Sequence, residues 1–259
     1  MSWADQYRGH TYDGQGEFAV FPPSGLPTLG AWTTGMDDAK EQIRHVVQAH
    51  LKPGKYERYG LIRNGILLYG PRGTGKTFLA RAIAGEFGLN FECVSAPTLL
   101  NRWIGATAEN IDRVFAHAAA RKPVLFFIDE IDSLGAGRQD VLTDPGGAGR
   151  EFNNITMGLM SAIDHYRAIR GFVLVAATNR FEGLDDALTR EGRFDVKLRI
   201  DLPDEAARMK IFEAQLSKMP WKRFGLQEFA RRMPGASAAK LRAVVDQAAG
   251  YAVADNRRI

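Results

Sequence analysis

The chain carries the sequence Gly70-Pro71-Arg72-Gly73-Thr74-Gly75-Lys76-Thr77 directly after the apolar run Ile66-Leu67-Leu68-Tyr69. The pattern is G-x-x-x-x-G-K-[ST], and its place between an apolar run and a helical segment predicts a phosphate-binding loop. Glycines let backbone N–H groups close around phosphate oxygens, because a side chain at Cβ would block the approach. In this arrangement Lys76 reaches the β- and γ-phosphates, and the Thr77 hydroxyl ligates Mg²⁺. The helix predicted over 77–86 directs its positive end at the same phosphates.

A second apolar run, Val124-Leu125-Phe126-Phe127-Ile128, ends in Asp129-Glu130. A strand that is apolar on both faces is typical of the middle of a parallel sheet. Ligands bind at the carboxyl ends of such strands. We therefore predict that Asp129 holds Mg²⁺ through water and that Glu130 orients or deprotonates the attacking water.

Composition narrows the class of protein. The 259 residues are enough for one large and one small domain, and 45% hydrophobic with 25% charged residues is typical of a globular chain. The formal charge is only +4, so no nucleic-acid partner is indicated. The single Cys93 excludes an internal disulfide and favours a reducing compartment. No apolar stretch approaches the ~20 residues that a membrane helix needs, and we expect a cytoplasmic protein with no membrane partner.

Strand and helix patterns alternate along the chain. Strands are predicted at 66–69, 91–96, 124–129, 172–179 and 196–200, with helices between them, which indicates a parallel α/β sheet. A glycine-rich stretch at 135–149 predicts a mobile loop. After Pro203 the pattern is helical only, at 204–218, 226–232 and 237–256, which predicts a second, smaller helical domain.

The predicted organisation has three parts: an N-terminal arm over 1–34, an α/β nucleotide-binding domain over 35–202 and a helical domain over 203–259. The arm contains glycines, prolines and aromatic residues without helical or strand periodicity. Two interpretations are open for it. It packs on the main body, or it binds a client or a neighbouring subunit.

These motifs together resemble the AAA branch of the AAA+ ATPases over roughly residues 30–256. The segment Gly35-Met36-Asp37-Asp38-Ala39-Lys40-Glu41-Gln42-Ile43 is similar to the opening of the ATPase module of FtsH. Ala176-Ala177-Thr178-Asn179-Arg180 resembles the sensor-1 strand end, and the segment 184–195 resembles the arginine-finger segment. The resemblance implies a P-loop parallel sheet with flanking helices, followed by a small α-helical lid domain, and the cofactors ATP and Mg²⁺.

The resemblance also implies roles for individual residues. Asn179 bonds the γ-phosphate or the attacking water, and Arg190 and Arg193 act on ATP bound to the neighbouring subunit of a homo-oligomer, usually a hexamer. A local salt bridge is the alternative for one of the two arginines. The remaining nucleotide contacts are Gly35, Ala239 and the loop set Gly70, Pro71, Arg72, Gly73, Thr74, Gly75, Lys76, Thr77 and Phe78.

The segment Arg102-Trp103-Ile104-Gly105 follows the second predicted strand. It resembles the pore loop of katanin, spastin and related unfoldases, in which an aromatic ring grips a polypeptide through apolar contact. Trp103, Ile104 and Gly105 are therefore the expected client-gripping residues. A packing role is the alternative for Trp103.

Several positions depart from the family pattern. Ala106 replaces the usual Glu after the pore glycine, and Asp164-His165-Tyr166 replaces the inter-subunit signalling turn Asp-Gly-Phe. The lid motif Ser-Gly-Ala-Asp is Ser237-Ala238-Ala239-Lys240, so no sensor-2 arginine is evident, and Gln215 stands where many members have His. The sequence contains no H-E-x-x-H and no metal-binding His spacing, and His117 is expected to be structural.

Two classes of function fit these features. The first is a ring ATPase that remodels or unfolds a protein client, directly or through an adaptor, with HORMA-domain proteins as one candidate client class. The second is a nucleotide-gated binding switch or loader with little pulling activity. A further interpretation, compatible with the first, is the ATPase part of a larger assembly in which another chain supplies the specificity. Trp103-Ile104 and Glu130 favour the first, and a loader is expected to show a basic DNA-facing stripe, which the sequence lacks.

Overall fold

The computed structural model describes residues 20–31, 37–60, 65–96, 108–133, 147–184, 186–190, 192–217, 219–221 and 225–255. For 108–110 and 147–155 only the backbone is described. Some predicted features lie outside these ranges. They are residues 1–19 and 32–34 of the arm, Gly35, the pore loop Trp103-Ile104-Gly105 and residues 135–146 of the glycine-rich loop.

The strands are β1 (Val20–Phe21), β2 (Ile66–Tyr69), β3 (Asn90–Ser95), β4 (Val124–Asp129), β5 (Phe172–Thr178) and β6 (Val196–Arg199). The α-helices are α1 (Asp37–Leu51), α2 (Pro53–Glu57), α3 (Lys76–Phe87), α4 (Ala108–Ala119), α5 (Gly147–Tyr166), α6 (Asp186–Thr189), α7 (Glu205–Leu216), α8 (Leu226–Arg232) and α9 (Ala238–Ala254). Short 3₁₀ turns cover Pro23–Gly25, Leu29–Ala31 and Phe181–Gly183.

The strands form one sheet in the order β1-β3-β4-β5-β2-β6. All pairs from β3 to β6 are parallel, and only the edge strand β1 runs antiparallel to its neighbour β3. The predicted α/β class and the five predicted strands are therefore confirmed. Because β2, β5 and β4 are neighbours and parallel, their carboxyl ends lie at the same edge, where the predicted phosphate loop, Asn179 and Asp129-Glu130 follow them.

The two faces of the sheet bury separate apolar clusters. Successive residues of β4 point to opposite faces. Phe126 packs with Phe115 of α4 and Phe172 of β5 on one face, and Phe127 packs with α1 and α3 on the other. Every residue of β5 is buried. This two-sided burial explains why β4 and β5 read as continuous apolar runs rather than alternating ones.

The helices after residue 203 form their own cluster, built from Phe212, Leu216, Leu226, Ala230, Ala236, Leu241 and Val245. Each of the two longer helices has a side-chain cap: Asp204 accepts from the Ala207 amide at 2.7 Å, and Ser237 accepts from the Lys240 amide at 3.3 Å. The buried Arg208 donates to two backbone carbonyls, those of Ala230 and Pro203. The three-part division at residues 34 and 202 stays a prediction.

Two local predictions were wrong. The glycine-rich pattern predicts a loop over 147–149, but α5 already begins at Gly147, because helix propensity is a weak signal that the surrounding structure can override. Residues 20–21 were assigned no structure, but they form β1. A strand of two residues is too short to show an alternating pattern, so only its pairing with β3 reveals it.

The described part of the arm packs on the main body. Leu29 is buried, Phe21 lies against Phe91, and the Leu29 amide donates to the Glu86 carboxylate at 3.3 Å. Among the described residues, no helix combines the length and the apolar character that crossing a membrane requires.

Candidate active site

The phosphate loop joins β2 to α3 through residues 70–75, and its glycines adopt conformations that other residues avoid. Gly70 has φ of 142° and Gly75 has φ of 100°. A Cβ on Gly70 would overlap the carbonyl oxygen of Ile200, which follows β6. Sheet packing as well as ligand approach therefore requires glycine at position 70.

Helix α3 begins at Lys76 with no side-chain cap among the described residues, since its N-cap residue is Gly75. The first N–H groups of a helix lack partners within the helix and carry its partial positive charge. An uncapped twelve-residue helix after a glycine loop is a built site for phosphate oxygens. The residues present thus fit a nucleoside triphosphate.

The ammonium of Lys76 lies folded back on the loop. Its Nζ donates to the carbonyl oxygens of Gly70 and Pro71, both at 2.8 Å. Burial lowers the pKa of Lys76, the carboxylates of Asp129 and Asp132 act in the opposite direction, and the Arg72 charge lowers it further. The loop thereby holds the cation at the place where terminal phosphates are expected.

The predicted Mg²⁺ ligands are in direct contact. Thr77 Oγ1 donates to Asp129 Oδ2 at 3.0 Å, and Asp129 Oδ1 accepts from the Glu130 amide at 2.9 Å. Burial raises the pKa of Asp129, whereas these two hydrogen bonds and the Lys76 charge lower it. A hydroxyl beside a carboxylate is a ligand set that suits Mg²⁺, a hard cation that prefers oxygen.

Glu130 is exposed and adopts a left-handed backbone with φ of 53°. Non-glycine residues in this region cost about 1 kcal/mol or more, and such residues cluster at functional sites. The chain is fixed immediately afterwards by the Ile131 amide, which donates to the Ala177 carbonyl at 3.0 Å. The turn follows directly on β4, and the Glu130 side chain is exposed to solvent.

The strand between the two motifs carries the third predicted site residue. Asn179 is half-buried directly after β5, which lies between β4 and β2. Next to it, the buried Thr178 donates to Asp132 Oδ1 at 2.9 Å and accepts from the Arg180 amide at 2.9 Å. Local sequence patterns do not predict this hydrogen bond, because it joins residues near the ends of two different strands.

The lid helix α9 contacts the phosphate loop. The Ala239 amide donates to the Gly73 carbonyl at 3.1 Å. A Cβ on Gly73 would lie 3.0 Å from the Ser237 hydroxyl and 3.1 Å from the Ala239 methyl. Ala239 is therefore placed beside the loop, in keeping with its predicted nucleotide contact. Gln215 is half-buried in α7, with no described hydrogen bond.

The two predicted arginine fingers differ in their contacts. Arg193 donates to both carboxylate oxygens of Asp164, at 2.9 and 2.6 Å, and to the Ala187 carbonyl. The Arg193 hydrogen bond lowers the pKa of Asp164. Arg190 is exposed, and its side chain has no ion pair with the described residues. Asp164 had been noted only as a departure from the family turn, so the sequence missed this pair.

Both arginines lie at the amino ends of the strands, whereas the phosphate loop lies at their carboxyl ends. The Arg193 carbonyl is so close to Gly65 that any Cβ there would overlap it, and the Arg193 amide donates to the Arg190 carbonyl at 3.3 Å. Gly65 precedes β2 and Gly70 follows it. At about 3.3 Å per residue, roughly 16 Å of chain separates the two ends of this strand.

The fold and the site together define a nucleoside triphosphatase of the phosphate-loop class. The chain belongs to the AAA family, the ATPase family associated with various cellular activities, whose model matches residues 66–202. It is an ATPase that uses ATP with Mg²⁺. The individual roles of Glu130, Asn179, Arg190 and Arg193 stay predictions.

Curated relatives cover most of this chain. It is 37% identical over 252 residues to the ATP-dependent zinc metalloprotease FtsH of Paraburkholderia phymatum, covering 96% of this chain and 39% of the relative. It is 39% identical over 227 residues to FtsH of Caulobacter vibrioides, covering 87% and 36%. FtsH 2 of Symbiobacterium thermophilum is 36% identical over 261 residues, covering 99% and 44%. The chain thus spans about two fifths of the length of these relatives.

Proposed function

We propose that the chain acts as a subunit of a homo-oligomeric ring, a hexamer, that uses ATP to unfold or remodel a protein client. The ATP would be bound by the loop over 70–77 and by Asp129, with Glu130 activating the water and Asn179 orienting it. The Trp103-Ile104-Gly105 loop would grip the client in the central pore. The identity of the client, and the use of an adaptor, are not specified by the site.

The position of the arginines carries the ring proposal. Arg190 and Arg193 lie at the amino ends of β2 and β6, whereas the phosphate loop lies at the carboxyl end of β2. An arginine at one edge of the sheet does not reach phosphates at the other edge of its own subunit. A neighbouring subunit brings the two edges together if the contact is heterologous, and such a contact closes into a ring.

The exposure of Arg190 also supports a contact with ATP bound to a neighbouring subunit. Arg190 has no described carboxylate to neutralise it, so it is available to a neighbour's γ-phosphate. An arginine that neutralises charge developing on the transferred phosphoryl group accelerates the reaction by on the order of 10³–10⁵. Arg193, in contrast, is held by Asp164, and would act on a neighbour only after release from that pair.

The threading proposal rests on the sequence of the pore loop and on its flanking elements. β3 ends at Ser95 and α4 begins at Ala108, so the intervening segment starts from the carboxyl edge of the sheet that carries the ATP site. A loop tied to this edge is well placed to move with the nucleotide state. HORMA-domain proteins are one client class to test, supported only by the size of the module.

The decisive experiment separates ATP hydrolysis from client unfolding. The probe is a fluorescent β-barrel protein with a long unstructured tail, whose fluorescence is lost on unfolding. We expect Trp103→Ala to keep ATP hydrolysis within about twofold and to lose most unfolding, because only the apolar grip is removed. Trp103→Tyr should retain much of the unfolding. If Trp103→Ala unfolds the probe as well as wild type, the nucleotide-switch function replaces threading.

The same assay tests the ring. Arg190→Ala should lose both activities while binding ATP normally, and mixing it with Lys76→Ala subunits should recover some hydrolysis, since each supplies what the other lacks. Arg58→Ala, an exposed arginine outside the arginine-finger segment, is the matched control and should change neither activity. A monomer with the full ATPase rate would contradict the ring.

A further inference from the structure

The phosphate loop of this chain contains a second cation besides Lys76. Arg72 occupies the third position of the loop, between Pro71 and Gly73, and its side chain is exposed. Its guanidinium makes no hydrogen bond or ion pair within the described part of the chain. It is the only charged residue among positions 70–75. The loop therefore presents an unneutralised guanidinium on the strand-to-helix turn that surrounds the phosphates.

The geometry of Lys76 locates Arg72 relative to the terminal phosphates. Lys76 Nζ lies 2.8 Å from the carbonyl oxygen of Pro71, and this carbonyl belongs to the peptide bond that leads into Arg72. A carbonyl oxygen and the next Cα are about 2.8 Å apart across a trans peptide, so Nζ lies within about 6 Å of the Arg72 Cα. An extended arginine side chain spans a similar length, so the two cationic groups reach the same volume.

The lid contacts the backbone next to Arg72. On the far side of Arg72, Gly73 is packed against Ser237 and Ala239, and its carbonyl accepts from the Ala239 amide. The backbone around Arg72 is thus held from both sides, by Lys76 through Pro71 and by α9 through Gly73. A side chain fixed at its base loses less conformational entropy when it binds a ligand.

The charges around the two cations differ. Lys76 is followed by Thr77, which is hydrogen-bonded to the Asp129 carboxylate, whereas Arg72 has no hydrogen bond or ion pair within the described part of the chain. Two like charges near each other, one of them with no described carboxylate partner, form a local excess of positive charge. An anion that contacts both cations relieves this repulsion, and guanidinium binds phosphate oxygens with strong, directional hydrogen bonds.

We propose that Arg72 contacts the γ-phosphate of ATP from within the same subunit and thereby favours ATP over ADP, an inference that rests on the proposed binding of ATP by the loop over 70–77. The lid segment Ser237-Ala238-Ala239-Lys240 contains no arginine. The Arg72 guanidinium would instead supply a positive charge from the same subunit. Lys76 serves the β- and γ-phosphates together, so its removal weakens both nucleotides. Arg72 serves the terminal phosphate, so its removal weakens ATP selectively.

The test compares dissociation constants of ATPγS and ADP, both with Mg²⁺, by titration calorimetry on the full chain. We expect Arg72→Ala to raise the Kd of ATPγS about tenfold and that of ADP by less than about threefold, as for the loss of one charge-assisted phosphate contact. Arg72→Lys should restore most of the selectivity, since the charge remains. Arg58→Ala is the matched control and should leave both constants unchanged.

Two results would overturn the proposal: unchanged constants for Arg72→Ala, or a loss that is equal for the two nucleotides. Thermal unfolding without nucleotide checks the fold, which an exposed loop substitution should leave intact. The Lys76→Ala variant distinguishes a wrong γ-phosphate assignment for Arg72 from a wrong assignment of the nucleotide site. If Lys76→Ala binds both nucleotides normally, the phosphate loop is not the binding site. If Lys76→Ala loses both nucleotides but Arg72→Ala does not weaken ATPγS selectively, only the proposed γ-phosphate contact is wrong.

Discussion

Two neighbouring strands of the sheet each carry a buried carboxyl group, Asp129 at the end of β4 and Glu92 within β3. The two groups differ in their hydrogen-bond partners. Burial raises the pKa of both. Asp129 is compensated by the Thr77 hydroxyl, the Glu130 amide and the Lys76 charge. Glu92 has no exposed surface, and its Oε2 has no hydrogen-bond partner among the described residues.

The difference lies in what each carboxyl contacts. Glu92 Oε1 lies 3.0 Å from His117 Nδ1 of α4, and the Arg121 guanidinium only partly offsets the burial, so the pKa of Glu92 is raised to about 8. Burial and Arg121 lower the pKa of His117. Near neutral pH the pair is therefore a protonated carboxyl donating to a neutral imidazole. Hydrogen-bond donors, rather than burial, decide which of the two carboxyls is available as an anion for Mg²⁺.

The largest effect on activity is expected when the charge of Asp129 is removed. Asp129→Asn keeps the shape and an acceptor for Thr77 but removes the negative charge that a bound Mg²⁺ needs. We expect ATP hydrolysis to fall on the order of 100-fold or more, because metal stabilisation of the phosphoryl oxygens is worth several kcal/mol. Steady-state ATPase assays over a Mg²⁺ series measure it. Asp246→Asn, in α9, is the control, and equal rates for the two variants would contradict the assignment.

A smaller effect is expected at Glu92, and it concerns stability rather than hydrolysis. Native Glu92 keeps its proton up to about pH 8, whereas in the unfolded chain the carboxyl loses it near 4.5. Between these values the native state binds more protons, so this carboxyl's contribution to the free energy of unfolding is lost as pH rises. In wild type this loss amounts to about 3 kcal/mol between pH 6 and pH 9, and Glu92→Gln should remove it.

Urea unfolding at several pH values measures the Glu92 effect, and ATP hydrolysis should stay within about twofold of wild type. The wild-type curve should fall more steeply with pH than the Glu92→Gln curve. Parallel curves for the two proteins would show that Glu92 titrates normally in the native state.

The smallest effect on stability is expected when the imidazole of His117, the partner of Glu92, is replaced. His117→Gln leaves an amide oxygen to accept the Glu92 proton, so we expect less than about 1 kcal/mol of destabilisation at pH 6. The pH dependence of the free energy of unfolding should persist, because it arises from the buried carboxyl. If His117→Gln flattens the curve as fully as Glu92→Gln does, the imidazole is the titrating group.

The sequence predicts most of the sheet because its central strands are buried on both faces. Short apolar runs such as 124–128 and 172–177 are typical of buried strands, and the structure places both in strands. The loop over 70–77 and Asp129 are likewise local patterns attached to those strands. β1 escaped prediction because two residues carry no period, and the start of α5 escaped because glycines at 147 and 149 read as loop.

The contacts that the sequence did not reveal join residues far apart in the chain. Arg193 with Asp164, Thr178 with Asp132, and Glu92 with His117 each connect different elements. Each side chain alone is compatible with an exposed position, and only the folded register brings the partners together. His117 was expected to be structural, and its contact with a buried carboxyl gives that expectation a physical basis.

The short edge strand β1 has a consequence for assembly. A sheet edge offers a row of free backbone N–H and C=O groups to which another chain can add a strand. By pairing Val20 with Glu92 and Phe21 with Phe91, β1 occupies part of the outer side of β3. Where copies of the chain are close together, this covering disfavours strand-to-strand aggregation. β1 thus leaves less of this side of the sheet open to another strand.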